Sequence, residues 1–336
     1  MNKRYTYTFV LLFILLLFCF LINISLGSAN ISINEVFNSL FGFSENYIIQ
    51  NYRLPKAITA ILVGSGLGIS GLLMQTLFRN PLAGPFVLGI SSGASLGVAL
   101  IILGSGIFGG IFATAFISKW SIVIASSFGS FLVLLAVLLV SSKVRDTMAI
   151  LIIGLMFGSI TAAVVSVLSY FSSAEQLQQY IFWGFGSLGN LSWDEVLIFV
   201  FIYSFGILLT SISIKALNTF LLGENYAKSL GLNIKQSRLI IILATSLLAG
   251  TITAFAGPIA FIGLAVPHMT RQFFNTSNHK ILLPAVFVIG AIVMLICDSI
   301  AQLPTSDYTL PINAITSLIG APVVIWLLVR QRKMIF

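Results

Sequence analysis

Charge is what this chain has least of. Only 8% of its 336 residues are Asp, Glu, Lys or Arg, against about 25% in an ordinary soluble domain. So few polar side chains cannot cover a water-facing surface, and 58% of the residues are hydrophobic. The chain therefore belongs in lipid. Its two cysteines, Cys19 and Cys297, lie far apart inside apolar runs, which excludes a disulfide framework or a metal-ligand spacing and leaves them as packing thiols. The only histidines are His268 and His279, with no carboxylate cluster beside them, so neither a metal nor a catalytic site is expected. Pro267-His268 reads as a helix end with its ring at the interface. No Gly-rich loop leads into Gly-Lys-Ser/Thr, which removes the usual cradle for ATP phosphates. Acids are missing from the middle of the apolar runs: Asp298, Glu195 and Asp146 fall near their ends and read as caps or rim residues. An ion relay needs ionisable groups at membrane depth. What remains is a membrane protein with no cofactor and no motor of its own, whose energy must come from a partner.

What is present is a series of ten apolar segments, at about 5–27, 54–78, 85–104, 117–140, 147–170, 193–214, 236–256, 258–270, 281–300 and 311–330. The expected fold is an all-α polytopic membrane protein of ten transmembrane helices, with residues 1–336 forming one transmembrane domain. The segment at 258–270 is short for a span, but the cations support it. With the N-terminus in the cytoplasm, 14 of the 17 basic residues fall inside and three, Arg53, Lys56 and Lys119, fall outside, as basic loops prefer. Among the inner ones are Lys143, Arg145, Arg332 and Lys333. Both termini are then cytoplasmic. Lys3-Arg4, an apolar run and Gly27-Ser28-Ala29 also have the outline of a signal peptide. The run is long for one, and the ten-span topology needs it, so it is expected to be retained.

The densest information lies in 53–97. Two cations one helical turn apart, Arg53 and Lys56, open it, and a run carrying Gly64, Gly66, Gly68 and Gly71 follows. Small residues let helix backbones approach closely in lipid. Lys56 and Arg79 are separated by roughly 23 residues, one bilayer span at about 1.5 Å per residue. Arg79-Asn80-Pro81 forms a polar hinge, and neither Pro81 nor Pro85 can continue the helix. Ala83-Gly84-Pro85 with Leu88-Gly89 is echoed by Ala256-Gly257-Pro258 with Ile262-Gly263. The two copies lie at opposite faces in this topology, which suggests inverted repeats, spans 2–5 against 7–10. The outer loop 171–192 is rich in aromatics and glycine and could hold a short helix across the mouth. The inner loop 215–238 has the pattern Leu221-Leu222, Ala227, Leu230 of a short amphipathic helix ended by Gly231, presenting Glu224 and Lys228 to the cytoplasm.

RLPK at 53–56, Gly71 to Gln75, RNPLAGP at 79–85 and LGISSGAS at 88–95 together resemble permease subunits of ATP-driven importers for iron–siderophores, haem and cobalamin, the FecCD type. LLGENYAKSLGL at 221–232, GPIAFIGLAVPHMTR at 257–271 and LPINAITSLIGAPVVIWLLVR at 310–330 extend the resemblance over nearly the whole chain. It implies a bacterial cytoplasmic membrane location and a pair of ten-span subunits, as homodimer or heterodimer, around one path. Two ATPase subunits bind below and a substrate-binding protein docks above, delivering an iron chelate, a ferric siderophore in the first instance. By that resemblance Gly223, Glu224, Ala227, Leu230 and Gly231 belong to the coupling helix on the ATPase. Asn80 and Leu82 sit at one inner gate, and Thr147 and Met148 near the other. Arg53 and Lys56 meet acids of the binding protein. CDSIAQ departs from the pattern, with Gln302 where an arginine is common, which weakens that docking cluster. The alternative class is an ion-coupled secondary transporter, which inverted repeats would suit but the missing intramembrane charges do not. An intramembrane enzyme lacks its clustered His, Asp or Glu.

Overall fold

The computed structural model describes residues 3–27, 29, 31–43, 45–104, 118–141, 147–303 and 308–330. Ser28, Lys143, Arg145, Asp146, Arg332 and Lys333 lie outside the described residues, as do the side chains of Thr147 and Met148. Among the described residues there is no strand. The helices are α1 (Lys3–Ser25), α2 (Ile33–Leu40), α3 (Leu54–Leu77), α4 (Ile90–Ile102), α5 (Lys119–Ser141), α6 (Thr147–Tyr170), α7 (Ala174–Gly184), α8 (Trp193–Ile212), α9 (Ile214–Phe220), α10 (Glu224–Ser229), α11 (Ile234–Ala256), α12 (Ile262–Phe274), α13 (His279–Ala301) and α14 (Ile312–Arg330).

Among the described residues, seven helical stretches are long and apolar enough to cross a membrane: Tyr5–Ser25, Ile49–Leu77, Lys119–Val140, Ala149–Tyr170, Trp193–Ile212, Ile234–Ala256 and His279–Ala301. The ten expected spans are thus met by seven on these criteria. The other three expected segments correspond to α4, α12 and α14. Helices α4 and α12 have 13 residues each, a length of about 20 Å against a hydrocarbon core of about 30 Å. Each is preceded by backbone that is not α-helical, 78–89 before α4 and 257–261 before α12.

Helix α3 is the axis of the bundle, buried along almost its whole length and packed against α13, α11, α12 and α8. Glycine makes this possible. A Cβ on Gly71 would collide with the Gly263 carbonyl, and one on Gly64 with the Gly290 carbonyl, so α3 meets α12 and α13 backbone to backbone, the packing that lipid favours. The remaining contacts pair off. Helix α4 packs on α5 and α6 as α12 packs on α13 and α14; α11 touches α4 and α5 as α3 touches α12 and α13.

The connections define two ends. At one, α7 follows a capping box of Ser173 and Gln176, and Ser187 N–H donates to Ala256 O at 2.9 Å. Glu195 closes a second capping box, its carboxylate accepting from Ser192 N–H at 2.7 Å, so it is the structural cap the sequence suggests. Helix α8 then crosses to the opposite end, where α9 and α10 lie. Helix α1 starts at this α10 end, with Tyr5 and Phe9 against Phe274, and α14 finishes there.

Candidate functional site

At the α10 end, α3 stops because its chain turns left-handed. Arg79 has φ +48°, Phe78 N–H closes on Met74 O and Asn80 N–H on Gln75 O at 3.2 Å. The Asn80 side chain then accepts from Leu82 N–H at 2.9 Å, a local turn of the kind Asn favours. Leu82 is left 49% exposed. The hinge is tied on both sides. The Arg79 guanidinium donates to Leu221 O at 3.1 Å, and His268 Nε2–H donates to Pro81 O at 2.8 Å. Pro85 lies against Gly263, where an added Cβ would come within 2.6 Å of its ring.

The segment 221–231 is a six-residue helix between two glycines. Gly223 has φ +108° and Gly231 φ +79°, both in the region that L side chains avoid. Gly231 ends the helix as the sequence predicts, its N–H on Lys228 O and that of Leu232 on Ala227 O, the arrangement of a glycine stop. The orientation of the apolar residues differs from the amphipathic expectation. Only Ala227 is buried, whereas Leu222, Tyr226 and Leu230 are 63%, 54% and 61% exposed, because so short a helix turns a single residue inward. Glu224 does not stand free beside Lys228: Arg238 holds it at 2.8 Å.

Three polar ties around this end, partly or wholly buried, escape sequence reasoning. Arg271 donates to Gln75 Oε1 at 2.6 Å. Asn218 Oδ1 accepts from both the backbone N–H and the Nδ1–H of His279, which leaves Nε2 to accept from the Thr76 hydroxyl at 2.9 Å. Both histidine rings are buried. His268 therefore corrects the sequence reading: Pro267-His268 is not a helix end with an interfacial ring, but lies inside α12, where the ring finds a hinge carbonyl. The spacing of His268 and Arg271 places them on one helical face but does not name their partners.

At the α7 end the two expected docking cations part company. Arg53 is 9% exposed and its guanidinium donates to Ile24 O and Ser25 O, each at 2.8 Å, and to Ala29 O. It caps the orphan carbonyls of α1. Lys56 pairs with Asp298 at 3.2 Å. Asp298 is no rim residue: it is buried, and it also accepts from Asn23 Nδ2 at 2.9 Å and Gln302 Nε2 at 2.7 Å. Gln302, at the position where an arginine is common in the resembled pattern, is itself buried, and its amide serves Asp298. A cavity of about 390 Å³ opens beside this pair, lined by Lys56, Asp298, Asn190 and Pro311. A second, of about 360 Å³, is lined by Lys119, Gln179, Trp183 and Phe255. Phe182 of α7 borders both, so the helix lies between them.

Thr147 opens α6 and Met148 follows; the hinge at Asn80 and Leu82 precedes α4, against which α6 packs. Cys19 and Cys297 are buried thiols. A bundle that is all-helical among the described residues and of spanning length, with interrupted helices and a polar hinge at one end, defines a polytopic membrane protein. Residues 15–330 match the FecCD transport family, and the chain belongs to it. It is 35% identical over 319 residues to the hemin transport system permease protein HmuU of Yersinia pestis, covering 93% of this chain and 94% of that one. It is 36% identical over 285 residues to the vitamin B12 import system permease protein BtuC of Klebsiella pneumoniae, covering 84% and 83%. A solved structure described as an inward-facing conformation of a metal-chelate type ABC transporter superposes with TM-score 0.82 at 31% identity, over 97% of this chain and 99% of that one. PsaBC from Streptococcus pneumoniae, at 18% identity and TM-score 0.55, shares the fold alone. The chain is a transport component, not an enzyme.

Proposed function

We propose that the chain is the permease subunit of an ATP-binding cassette importer, forming with a second permease subunit the path of a metal chelate delivered by an extracytoplasmic binding protein. An iron chelate is the first candidate, a ferric siderophore or haem, with cobalamin as the other macrocycle that the relatives' names support. The observation that carries the coupling to an ATPase is segment 221–231. Leu222, Tyr226 and Leu230 stand exposed at the α10 end while Glu224 is braced by Arg238. An apolar knob on a rigid polar base is the surface of a docking element.

The topology is one transmembrane domain of ten spans in a bacterial cytoplasmic membrane, with repeats at spans 2–5 and 7–10. Its support is the paired packing of α4–α6 and α12–α14 and the two short helices behind interrupted backbone, a transporter trait. At the α10 end lie Lys3, Arg4, Arg79, Lys215, Lys228, Lys235, Arg238, Arg271, Lys280 and Arg330; at the α7 end lie Arg53, Lys56 and Lys119. This distribution favours a cytoplasmic α10 end and both termini inside. Nucleotide-driven closure of the ATPase pair moves segment 221–231. The inner gates at Asn80–Leu82 and Thr147–Met148 then exchange with an opening at the α7 end, where Lys56 receives the binding protein. The chelate meets mostly apolar walls, and weak sites suit passage. The test is uptake by liposomes holding the permease with its ATPase and binding protein. Uptake should require ATP and all three components; uphill uptake by the permease alone would overturn the reading.

A further inference from the structure

The hinge at 79–82 is held by two side-chain ties that reach it from different directions. Arg79 donates to Leu221 O, the first residue of the exposed segment, and its guanidinium lies along Gly223, where an added Cβ would be 3.5 Å from Nη2. Two residues on, Pro81 O accepts from His268 of α12. Helix α12 is in turn fixed to the central helix through Arg271 and Gln75. Between the two ties the backbone passes from the left-handed Arg79 to Pro81, whose ring fixes its own φ. Leu82, half exposed, comes immediately after.

We propose that Arg79 and His268 are positioning residues of transport: Arg79 hands the movement of segment 221–231 to the hinge, and His268 provides the fixed point about which Leu82 swings. This rests on reading 221–231 as the ATPase-coupling segment and Asn80–Leu82 as a gate. A displacement of Leu221 pulls on residue 79, while the carbonyl two residues later stays with α12. Bulk translation of the hinge is prevented and the motion becomes rotation at the leucine.

The experiment uses the full importer in liposomes and reads chelate taken up per ATP hydrolysed. Arg79→Met should lower that ratio about tenfold, and Arg79→Lys, which keeps a donor of similar reach, should restore at least half of it. His268→Leu should uncouple in the same way, and His268→Gln, which keeps an N–H, should recover it. Arg79 is exposed, so its variants test the idea even where a buried His268 change prevents assembly. In the same preparations the nucleotide-dependent change in labelling rate of Leu82→Cys should disappear with Arg79→Met. A ratio within twofold of the parent for Arg79→Met, or an Arg79→Lys variant as impaired as Arg79→Met, overturns the proposal. Leu230→Ala separates the two readings. If it uncouples and Arg79→Met does not, only this inference fails; if Leu230→Ala leaves coupling intact, the coupling segment itself is misassigned.

Discussion

Lys56 of α3 and Asp298 of α13 form an ion pair, Nζ to Oδ1 at 3.2 Å, with the carboxylate buried and the ammonium partly open to the cavity beside it. Removing one member of such a pair strands the other. Lys56→Met leaves Asp298 charged with only the amides of Asn23 and Gln302, and should destabilise the permease by about 2 kcal/mol, less than for a fully enclosed pair because water reaches this one. Lys56→Met with Asp298→Asn should recover most of that loss, since both charges are then gone while the amides keep an acceptor. Thermal unfolding in detergent reads the difference, and a double variant no more stable than the single would show that the pair is not what holds this corner.

Lys56 and its neighbour one turn earlier are expected to behave differently. Lys56→Gln should lower affinity for the binding protein about tenfold; its amide can still donate to Asp298, so its folded yield should fall less than that of Lys56→Met. Arg53→Gln should lower the yield, because the α1 carbonyls of Ile24 and Ser25 lose their donors, and surviving protein should bind nearly as the parent does. Titration of the binding protein onto nanodisc-held permease distinguishes them. Equal loss of affinity in both would return Arg53 to the docking surface.

That contrast also shows what a sequence can carry. Arg53 and Lys56 look alike in the chain, since spacing gives the helical turn but not the distant carbonyls that one of them meets. The hinge at Arg79-Asn80-Pro81 and the stop at Gly231 were legible because proline geometry and left-handed glycine are local properties. The tie of Arg271 to Gln75, 196 residues apart in sequence, has no local signature. Nor has the burial of His268, whose partner is a backbone carbonyl of the distant hinge at 79–82. The outward face of Leu222 and Leu230 is not legible for a related reason: an apolar pattern marks a face to be covered but does not say whether this chain or another covers it.

Backbone contact between helices makes a graded prediction about glycine. Gly71→Ala and Gly64→Ala place a methyl against the carbonyls of Gly263 and Gly290, and rigid helix backbone cannot yield as a side chain can. Each should cost upwards of about 3 kcal/mol and sharply reduce the folded fraction. Gly250→Ala on α11 has only the Ile90 methyl near it, at 3.9 Å, and should be neutral or slightly stabilising through helix propensity. Fluorescence-detected size exclusion ranks the three, and a benign Gly71→Ala would mean that α3 and α12 stand further apart.

Sidedness can be read directly. Lys228, Ser277 and Asn190 are exposed, and single cysteines there, in a background with Cys19 and Cys297 replaced, should label in sided vesicles. Lys228→Cys and Ser277→Cys should react with an impermeant maleimide only from the cytoplasmic face, and Asn190→Cys only from the other. Ser277 is the decisive position. It follows α12, and it shares a side with Lys228 only if the chain from 257 to 274 crosses despite its short helix. Labelling of Ser277→Cys from the Asn190 side would remove that span and with it the ten-span topology.

Segment 221–231 gives the prediction closest to function, because its parts should fail in different ways. Leu230→Ala removes an exposed apolar contact and nothing from the permease's own packing, so the isolated protein should be as stable as the parent. ATPase stimulation by the loaded binding protein should nevertheless fall at least fivefold, the effect of a contact of about 1 kcal/mol or more at an interface. Glu224→Gln loosens the brace to Arg238, a partly exposed pair worth under about 1 kcal/mol to the fold, so its effect should also be on stimulation and should be milder. Arg238→Gln removes the same pair from the other side and should match it, and the double variant should be no worse than either single. Additive losses would mean that Glu224 touches the ATPase itself, as the family resemblance implies, instead of acting through Arg238.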